Sequence, residues 1–196
     1  LAAWGEKTNG KAKNFSNVVF LEISNGIKAG IIIDNVLIRG ENGYAGEIGF
    51  TITDTENLGF KIINKGYLEK FASVTSLRNK AVKLIKEGKK SLIMNLAGND
   101  IDKIDSAIVC EAAMADDIVA KDIIENIVKL LSIAIINLIL ILNPKIIILG
   151  GYIFNLPYKN ELIVNPIKNY VKQSIPFSIH HIELSDLGNA ETIIGS

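Results

Sequence analysis

The stretch Asn143–Gly151, which reads Asn-Pro-Lys-Ile-Ile-Ile-Leu-Gly-Gly, decides the fold class. Proline disfavours helical backbone in the residue before it, so the Asn-Pro pair predicts the end of a preceding helix. Four consecutive aliphatic residues then predict a strand that is buried on both faces. Such strands are typical of parallel sheets covered by helices, and the two glycines end the strand. This stretch therefore predicts an α/β fold.

Earlier in the chain, the sequence predicts strands that pair locally. Asn17–Ile23 is rich in β-branched and aromatic residues and predicts a strand. Gly26 and Gly30 are expected in the loop that follows it. Asp34 and Asn35 tolerate positive φ and stand between two apolar triplets, which predicts a tight hairpin. The strands expected around that turn and after it are Ile31–Ile33, Val36–Ile38 and Glu47–Thr53.

The apolar period changes to that of helices after these strands. Apolar residues from Phe71 to Leu84 lie three or four apart, which predicts an amphipathic helix ended by Gly88. Ile123–Leu142 is apolar nearly all round and predicts a central buried helix. The remaining expected elements are a helix beginning near Asp105, a helix over Glu161–Lys172 and a strand over Ser178–Leu184. This order predicts a mixed sheet, made of a three-stranded meander plus parallel strands, with packed helices.

Composition excludes several classes of protein. The 196 residues suit one compact domain, and 21 basic residues balance 21 acidic ones, so the chain lacks the basic footprint usual in DNA-binding domains. Cys110 is the only cysteine, which excludes an internal disulfide and a cysteine-built metal cage. The most apolar stretch, Leu130–Leu142, is shorter than the roughly 20 residues that span a bilayer, so no membrane segment is expected. Leu1 stands where a start Met would, so we expect a piece of a longer protein.

Three segments together resemble the ROK family of sugar kinases and sugar-responsive repressors. Gly26–Ile32 is similar to that family's glycine-rich phosphate loop, and Asn143–Gly151 to the strand and turn that face the adenosine of the nucleotide. Arg39–Gly49, which reads Arg-Gly-Glu-Asn-Gly-Tyr-Ala-Gly-Glu-Ile-Gly, matches the sugar-site signature and looks most like the xylose-repressor-type members. The resemblance covers nearly the whole chain.

The resemblance implies both a fold and a set of site residues. Residues 1–196 would form the C-terminal lobe of a two-lobed actin-like ATPase, a ribonuclease-H-like layer, with the N-terminal lobe and any DNA-binding domain absent. Glu47 and Glu69 stand at the two positions whose carboxylates accept sugar hydroxyls in the family, although Glu69 could simply open a helix. The family's general base would lie upstream of Leu1, so no catalytic residue is assigned. The other implied positions are Ser24, Asn25, Gly26 and Gly30 in a degenerate phosphate loop, and Gly150 and Gly151 on the adenosine side.

The family's structural zinc site is expected to be lost. Phe50 stands at the position of the histidine ligand, and Phe60, Ile62 and Tyr67 stand at the positions of the three cysteines. Apolar and aromatic side chains supply none of the donors that zinc needs. We expect a small hydrophobic cluster to hold this loop in place of the metal, the alternative being a loop that has become disordered.

The phosphate loop also departs from the family pattern. Phosphate cradles depend on backbone N–H groups that residues without side chains bring close to the ligand. Ser24 and Lys28 stand at glycine positions and crowd that approach. The alternative is that Lys28 salt-bridges a phosphate itself.

Three further groups of polar residues have ordinary structural explanations. The spacing of Asp100, Asp102 and Asp105 resembles part of a calcium-binding loop, but the glycine and the distant glutamate of such a loop are missing. We therefore expect these residues to cap helices. His180 and His181 are adjacent on a predicted strand and point to opposite faces, so they cannot share a metal. A solvated helix face or turn is expected for the acidic residues Glu111, Asp116 and Asp117.

Three functions follow from these observations. The first is a catalytically inactive, zinc-free sugar-sensing domain of a transcriptional repressor that binds a monosaccharide, with operator DNA bound by an upstream domain. The second is a sugar kinase, active or degenerate, and the third is a scaffold for dimerisation. The degraded phosphate loop favours the repressor domain over the kinase, and the retained Glu47 disfavours the scaffold. We also expect a cytoplasmic homo-oligomer without a cofactor.

The loss of all four ligand positions predicts that the domain folds without zinc. Elemental analysis of the purified protein should find no stoichiometric zinc, and a chelator should leave the melting temperature unchanged. Stoichiometric zinc, or a large fall in melting temperature with chelator, would contradict this prediction.

Overall fold

A mixed sheet organises the fold in the computed structural model, which describes residues 2–53, 55, 58–59, 65–176 and 181–187. Within those residues the strand order is β3-β2-β1-β4-β5. β1 pairs antiparallel with β2 and parallel with β4, β2 pairs antiparallel with β3, and β4 pairs parallel with β5. The strands are β1 Val18–Ile23, β2 Ile27–Ile33, β3 Val36–Leu37, β4 Ile146–Gly150 and β5 His181–Leu184. The predicted α/β fold with a meander and parallel strands is confirmed.

Helices cover both faces of the sheet unequally. The larger core lies between one face and α2, α3, α5, α6 and α7, while α1 covers part of the other face. On that second face Gly30 of β2 lies directly against Ala3 of α1, and a Cβ at Gly30 would collide with it. The helices are α1 Ala2–Asn9, α2 Tyr67–Ala72, α3 Val74–Lys86, α4 Leu92–Leu96, α5 Ser106–Met114, α6 Ile118–Leu142 and α7 Asn165–Ser174.

The structure confirms the local predictions of a turn and of helix ends. Asp34 and Asn35 have φ values of 50° and 62° and join β2 to β3 as the predicted tight turn. Gly88, at φ 86°, follows the end of α3. Asp105 caps α5 by accepting the Ile108 N–H at 2.8 Å.

Two predicted elements of the N-terminal half are wrong. β2 begins at Ile27, so Gly30 lies within a strand and the loop after β1 is only Ser24–Gly26. Glu47–Thr53 is not a strand, because Gly46 has φ 86° and the chain then closes a short 3₁₀ turn over Ile48–Phe50. β3 completes the meander instead.

The predicted helices differ from the observed ones at their ends. The helix expected from Phe71 to Leu84 breaks at Ser73, whose extended backbone (ψ 167°) separates α2 from α3. α7 begins at Asn165, after a π turn over Asn160–Val164. Neither α1 nor the five-residue α4 is predicted from the sequence. Residues 178–180 of the expected last strand lie outside the described residues.

α6 is longer than predicted, since it begins at Ile118 and has 25 residues. By length and composition it could cross a membrane, so the argument that the apolar stretch is too short was wrong. The helix packs against α2, α3, α5 and α7 and buries residues such as Leu131 and Ile135 completely. These contacts are those of a core helix.

Two carboxylates tie elements together inside the fold. Glu6 is fully buried in α1, where it accepts the Lys11 N–H and the Ser185 hydroxyl just after β5. Asp117 is also buried and accepts the Ala120 N–H at 2.8 Å, which caps α6. Its other contacts are the Ser91 hydroxyl at 2.9 Å and the Leu92 N–H at 2.8 Å. The expected solvated position of Asp117 is therefore wrong.

We expect Asp117→Asn to destabilise the fold by about 2 kcal/mol, because the amide replaces an acceptor of three hydrogen bonds and turns an NH₂ group towards a donor. Asp116→Asn is the matched control. Asp116 is exposed and bonded to Lys121, which lowers the pKa of its carboxyl, and such surface pairs contribute little. Urea unfolding of both variants measures the difference, and equal stabilities would contradict the capping role.

Candidate functional site

The glycine-rich segment Arg39–Gly49 lies directly against β2. The Ala29 N–H donates to the Gly46 carbonyl at 2.7 Å, an additional pairing along the strand. Gly46 has φ 86°, and a Cβ there would overlap the Ala29 carbonyl oxygen. Only glycine satisfies both conditions, so this contact fixes where the rest of the segment lies.

Two further glycines bring α2 close to the same segment. A Cβ at Gly49 would lie 2.7 Å from the Ile27 carbonyl oxygen and 3.2 Å from Glu69 Oε2. A Cβ at Gly66, just before α2, would collide with the Gly49 carbonyl. The first residue of β2, the turn at Gly49 and the start of α2 therefore meet at one place.

Glu69 points into this meeting place from α2. The side chain is half-buried, and its Oε2 accepts the Ile27 N–H at 3.3 Å. In the described part of the chain this is its only hydrogen bond, so Oε1 keeps its acceptor capacity. Glu69 both anchors the start of β2 and offers a carboxylate oxygen.

Glu47 is held beside the same strand by Lys28. The Lys28 Nζ lies 3.1 Å from Glu47 Oε1, and the two side chains are 62% and 33% exposed. Lys28 had two predicted roles, crowding a phosphate or binding one; here its ammonium group pairs with the predicted sugar carboxylate. Tyr44, Glu47 and Phe50 line an open cavity of about 510 Å³. Sequence reasoning had not selected Tyr44, although it stands within the signature segment.

Of the predicted phosphate loop, Ser24, Asn25 and Gly26 form the tight turn between β1 and β2, whereas Gly30 lies within β2. Ser24 Oγ accepts the Tyr152 N–H at 3.0 Å, and the Ser24 carbonyl accepts the Val74 N–H at 3.0 Å. The Lys65 Nζ donates to the Asn25 carbonyl at 3.3 Å. The Ser24 hydroxyl thus occupies the backbone donor of Tyr152, the residue directly after the predicted adenosine-side glycines.

Gly150 and Gly151 lie beside this turn, as the parallel pairing of β1 with β4 requires. Gly151 has φ 97°, and a Cβ there would lie 2.6 Å from the Ile23 carbonyl oxygen. The carboxyl ends of parallel strands form the edge where open α/β sheets bind ligands. The structure therefore places the two predicted nucleotide-side segments at one such edge.

Two of the four positions predicted to have lost a zinc ligand lie within the described residues. Tyr67 is buried and packs on Phe71 with ring centroids 4.8 Å apart. Phe50 is 43% exposed and lines the cavity beside Glu47. Phe60 and Ile62 lie outside the described residues, so the expected hydrophobic cluster stays a prediction. Among the residues that the structure describes, no group of three or more His, Cys, Asp or Glu side chains could hold a metal.

The other candidate residues have structural roles. Asp100 caps the short turn Ile101–Lys103 by accepting the Asp102 N–H at 3.1 Å, as the capping explanation predicts. Glu111 is exposed on α5, His181 stacks near Phe15, and His180 lies outside the described residues. Burial raises the pKa of the Cys110 thiol to about 12, which excludes a reactive thiolate at neutral pH.

Comparison with known proteins identifies relatives of the chain. The sequence profile of the ROK family matches residues 1–196. The chain is 30% identical to a xylose repressor of Caldicellulosiruptor bescii over 196 residues, which cover 98% of this chain and 48% of the repressor. It is also 30% identical to a glucokinase of Thermotoga maritima over 171 residues, covering 85% of this chain and 51% of that enzyme. The chain thus spans about half the length of these relatives.

Solved structures share the fold. A ROK family transcriptional regulator, a homologue of the E. coli MLC protein, superposes with a TM-score of 0.78 at 26% identity, covering 99% of this chain and 48% of that one. A ROK family glucokinase from Streptomyces griseus, in complex with glucose and AMPPNP, superposes with a TM-score of 0.81 at 24% identity, covering 99% and 63%. The profile match over its whole length shows that this chain belongs to the ROK family.

Proposed function

We propose that this chain is the C-terminal lobe of a sugar-responsive transcriptional repressor, and that Glu47 and Glu69 bind the sugar. The observation that carries the proposal is that both carboxylates lie at the start of β2, where Glu69 accepts the Ile27 N–H, Glu47 pairs with Lys28, and close contacts at Gly46 and Gly49 position the segment between them. Carboxylates accept hydroxyl hydrogen bonds more strongly than neutral groups do, so the pair suits a polyhydroxylated ring. The identity to xylose repressors supports a pentose effector.

A sugar kinase is the second candidate, because glucokinases are also among the relatives. The turn after β1 argues against it. Kinases of this kind need close backbone donors for the nucleotide phosphates, and here the Ser24 hydroxyl takes the Tyr152 N–H while Lys28 turns to Glu47. The proposed repressor lobe is catalytically inactive and needs neither cofactor nor zinc.

The proposal includes the partners and their location. One edge of a monosaccharide is held by Glu47 and Glu69, and the other by a lobe encoded upstream of Leu1. A sugar held by both lobes favours the closed form, which gives a mechanism for sensing. Operator DNA would be bound by a further upstream domain, since this chain has no net charge. The whole protein would be a cytoplasmic homo-oligomer.

The full-length protein is expected to phosphorylate sugars negligibly, because the turn at Ser24 does not offer a free phosphate cradle. A coupled ATP-turnover assay across common hexoses and pentoses measures this. Turnover of about 1 to 100 per second, ordinary for kinases, would overturn the inactive assignment.

Replacing either carboxylate should weaken sugar binding in the full-length protein. Each hydrogen bond to a charged group contributes about 1.5–3 kcal/mol, so Glu47→Gln and Glu69→Gln should each lower xylose affinity at least about tenfold. Glu41→Gln is the matched control, since Glu41 is exposed in the same segment. Titration calorimetry distinguishes them, and undiminished affinity in Glu47→Gln would place the sugar elsewhere.

The isolated chain is expected to bind xylose at least about a hundredfold more weakly than the full-length protein. Two or so hydrogen bonds from the missing lobe are lost, and those that remain compete with water. The same calorimetry measures both forms. Equal affinities would show that this lobe binds the sugar without its partner lobe.

A further inference from the structure

A second cavity, of about 420 Å³, lies between α2, α3 and α6. Its volume is in the range of small-molecule sites. On α3 it is lined by Ser76, Asn79, Lys80 and Lys83, which share one helix face because they lie three or four residues apart. The α6 wall is formed by Ile123, Asn126 and Ile127. α2 contributes Lys70 and Phe71, the residues directly after Glu69.

The cavity has an apolar floor and a polar rim. Ile123 and Ile127 are buried, and Phe71 is 37% exposed beside them. The Ser76 hydroxyl donates to the Ser73 carbonyl at 2.5 Å and also lies 3.1 Å from the Phe71 carbonyl, so it joins α3 to the end of α2 along this wall. The amides of Asn79 and Asn126 add hydrogen-bonding groups at the rim. A ligand with an apolar body and a polar end fits this division.

The rim is positively charged. Lys70, Lys80 and Lys83 line the cavity, and no carboxylate does so among the described residues. Lys83 has a distant partner in Glu87, at 3.8 Å, in a pair whose side chains are 72% and 51% exposed. Such an exposed pair is weak, so Lys83 can exchange Glu87 for a ligand at little cost. Lys80 has no ion-pair partner in the described part of the chain.

We propose that this cavity binds a small phosphate ester with an apolar body. The apolar part would lie on the Phe71 ring, which is 37% exposed, because Ile123 and Ile127 are already buried and burial of exposed carbon surface is favourable. The phosphate would lie between the Lys80 and Lys83 ammonium groups, which favour a group of charge near −2 over a singly charged carboxylate. All lining residues belong to this chain and differ from those of the proposed sugar site, so the inference stands whether or not Glu47 and Glu69 bind sugar.

Calorimetry on the full-length protein at constant ionic strength tests the proposal with four probes. Phenyl phosphate carries both features, benzoate has the ring with a single charge, inorganic phosphate lacks the ring and phenol lacks the charge. We expect phenyl phosphate to bind at least about tenfold more tightly than each of the others, because each lacks one favourable contribution. Equal binding of inorganic phosphate would overturn the proposal, since it would indicate a nonspecific anion effect.

Substitutions place the binding in this cavity. Lys80→Gln should weaken phenyl phosphate binding about tenfold, because Lys80 lies on the rim and has no ion-pair partner in the described part of the chain. Lys90→Gln is the matched control, an exposed lysine beyond the end of α3 and outside the cavity. Both side chains are exposed, so both variants should keep the melting temperature of the unaltered protein. Equal phenyl phosphate affinities of the two variants, or no binding in the millimolar range, would overturn the assignment.

Discussion

The hydrogen bond from the Ala29 N–H to the Gly46 carbonyl, at 2.7 Å, is the contact on which the proposed sugar site depends. It holds the signature segment against β2 at a distance that excludes any side chain at position 46. Glu47 follows immediately and therefore lies beside Lys28, one residue before Ala29 on the strand. The glycines of the signature thus determine where the segment lies, and Glu47 supplies the carboxylate that is proposed to bind the sugar.

The same strand connects the sugar side with the phosphate side. β2 starts at Ile27, where Glu69 accepts the backbone N–H, and the residues just before it form the turn that Ser24 ties to Tyr152. In a kinase this short connection would bring sugar and nucleotide together. Here the Lys28 ammonium group pairs with Glu47, and the Ser24 hydroxyl accepts the Tyr152 N–H. Under the proposed function, both differences keep a carboxylate for the sugar and weaken a nucleotide site.

Local signals in the sequence predicted the parts of the fold that local physics determines. The aliphatic run of β4, the Asp34-Asn35 turn and the stop at Asn143 each depend on a few neighbouring residues, and all three were predicted correctly. The expected strand over Glu47–Thr53 is wrong because Gly46, just before it, and Gly49, within it, make close tertiary contacts with β2 that its strand-like composition does not indicate. The break at Ser73 similarly interrupts an apolar period that continues through it. Asp117 was misassigned because its partners, Ser91 and Leu92, are distant in sequence.

The candidate carboxylates came from resemblance, but their surroundings came only from the structure. No sequence pattern indicated that Lys28 would pair with Glu47, or that Glu69 would accept a backbone N–H of β2. A crystal structure of the full-length protein with xylose bound is the most direct test of this account. It should show sugar hydroxyls within hydrogen-bond distance, about 2.7 Å, of the Glu47 and Glu69 carboxylates. A sugar bound elsewhere, with both carboxylates in water, would contradict it.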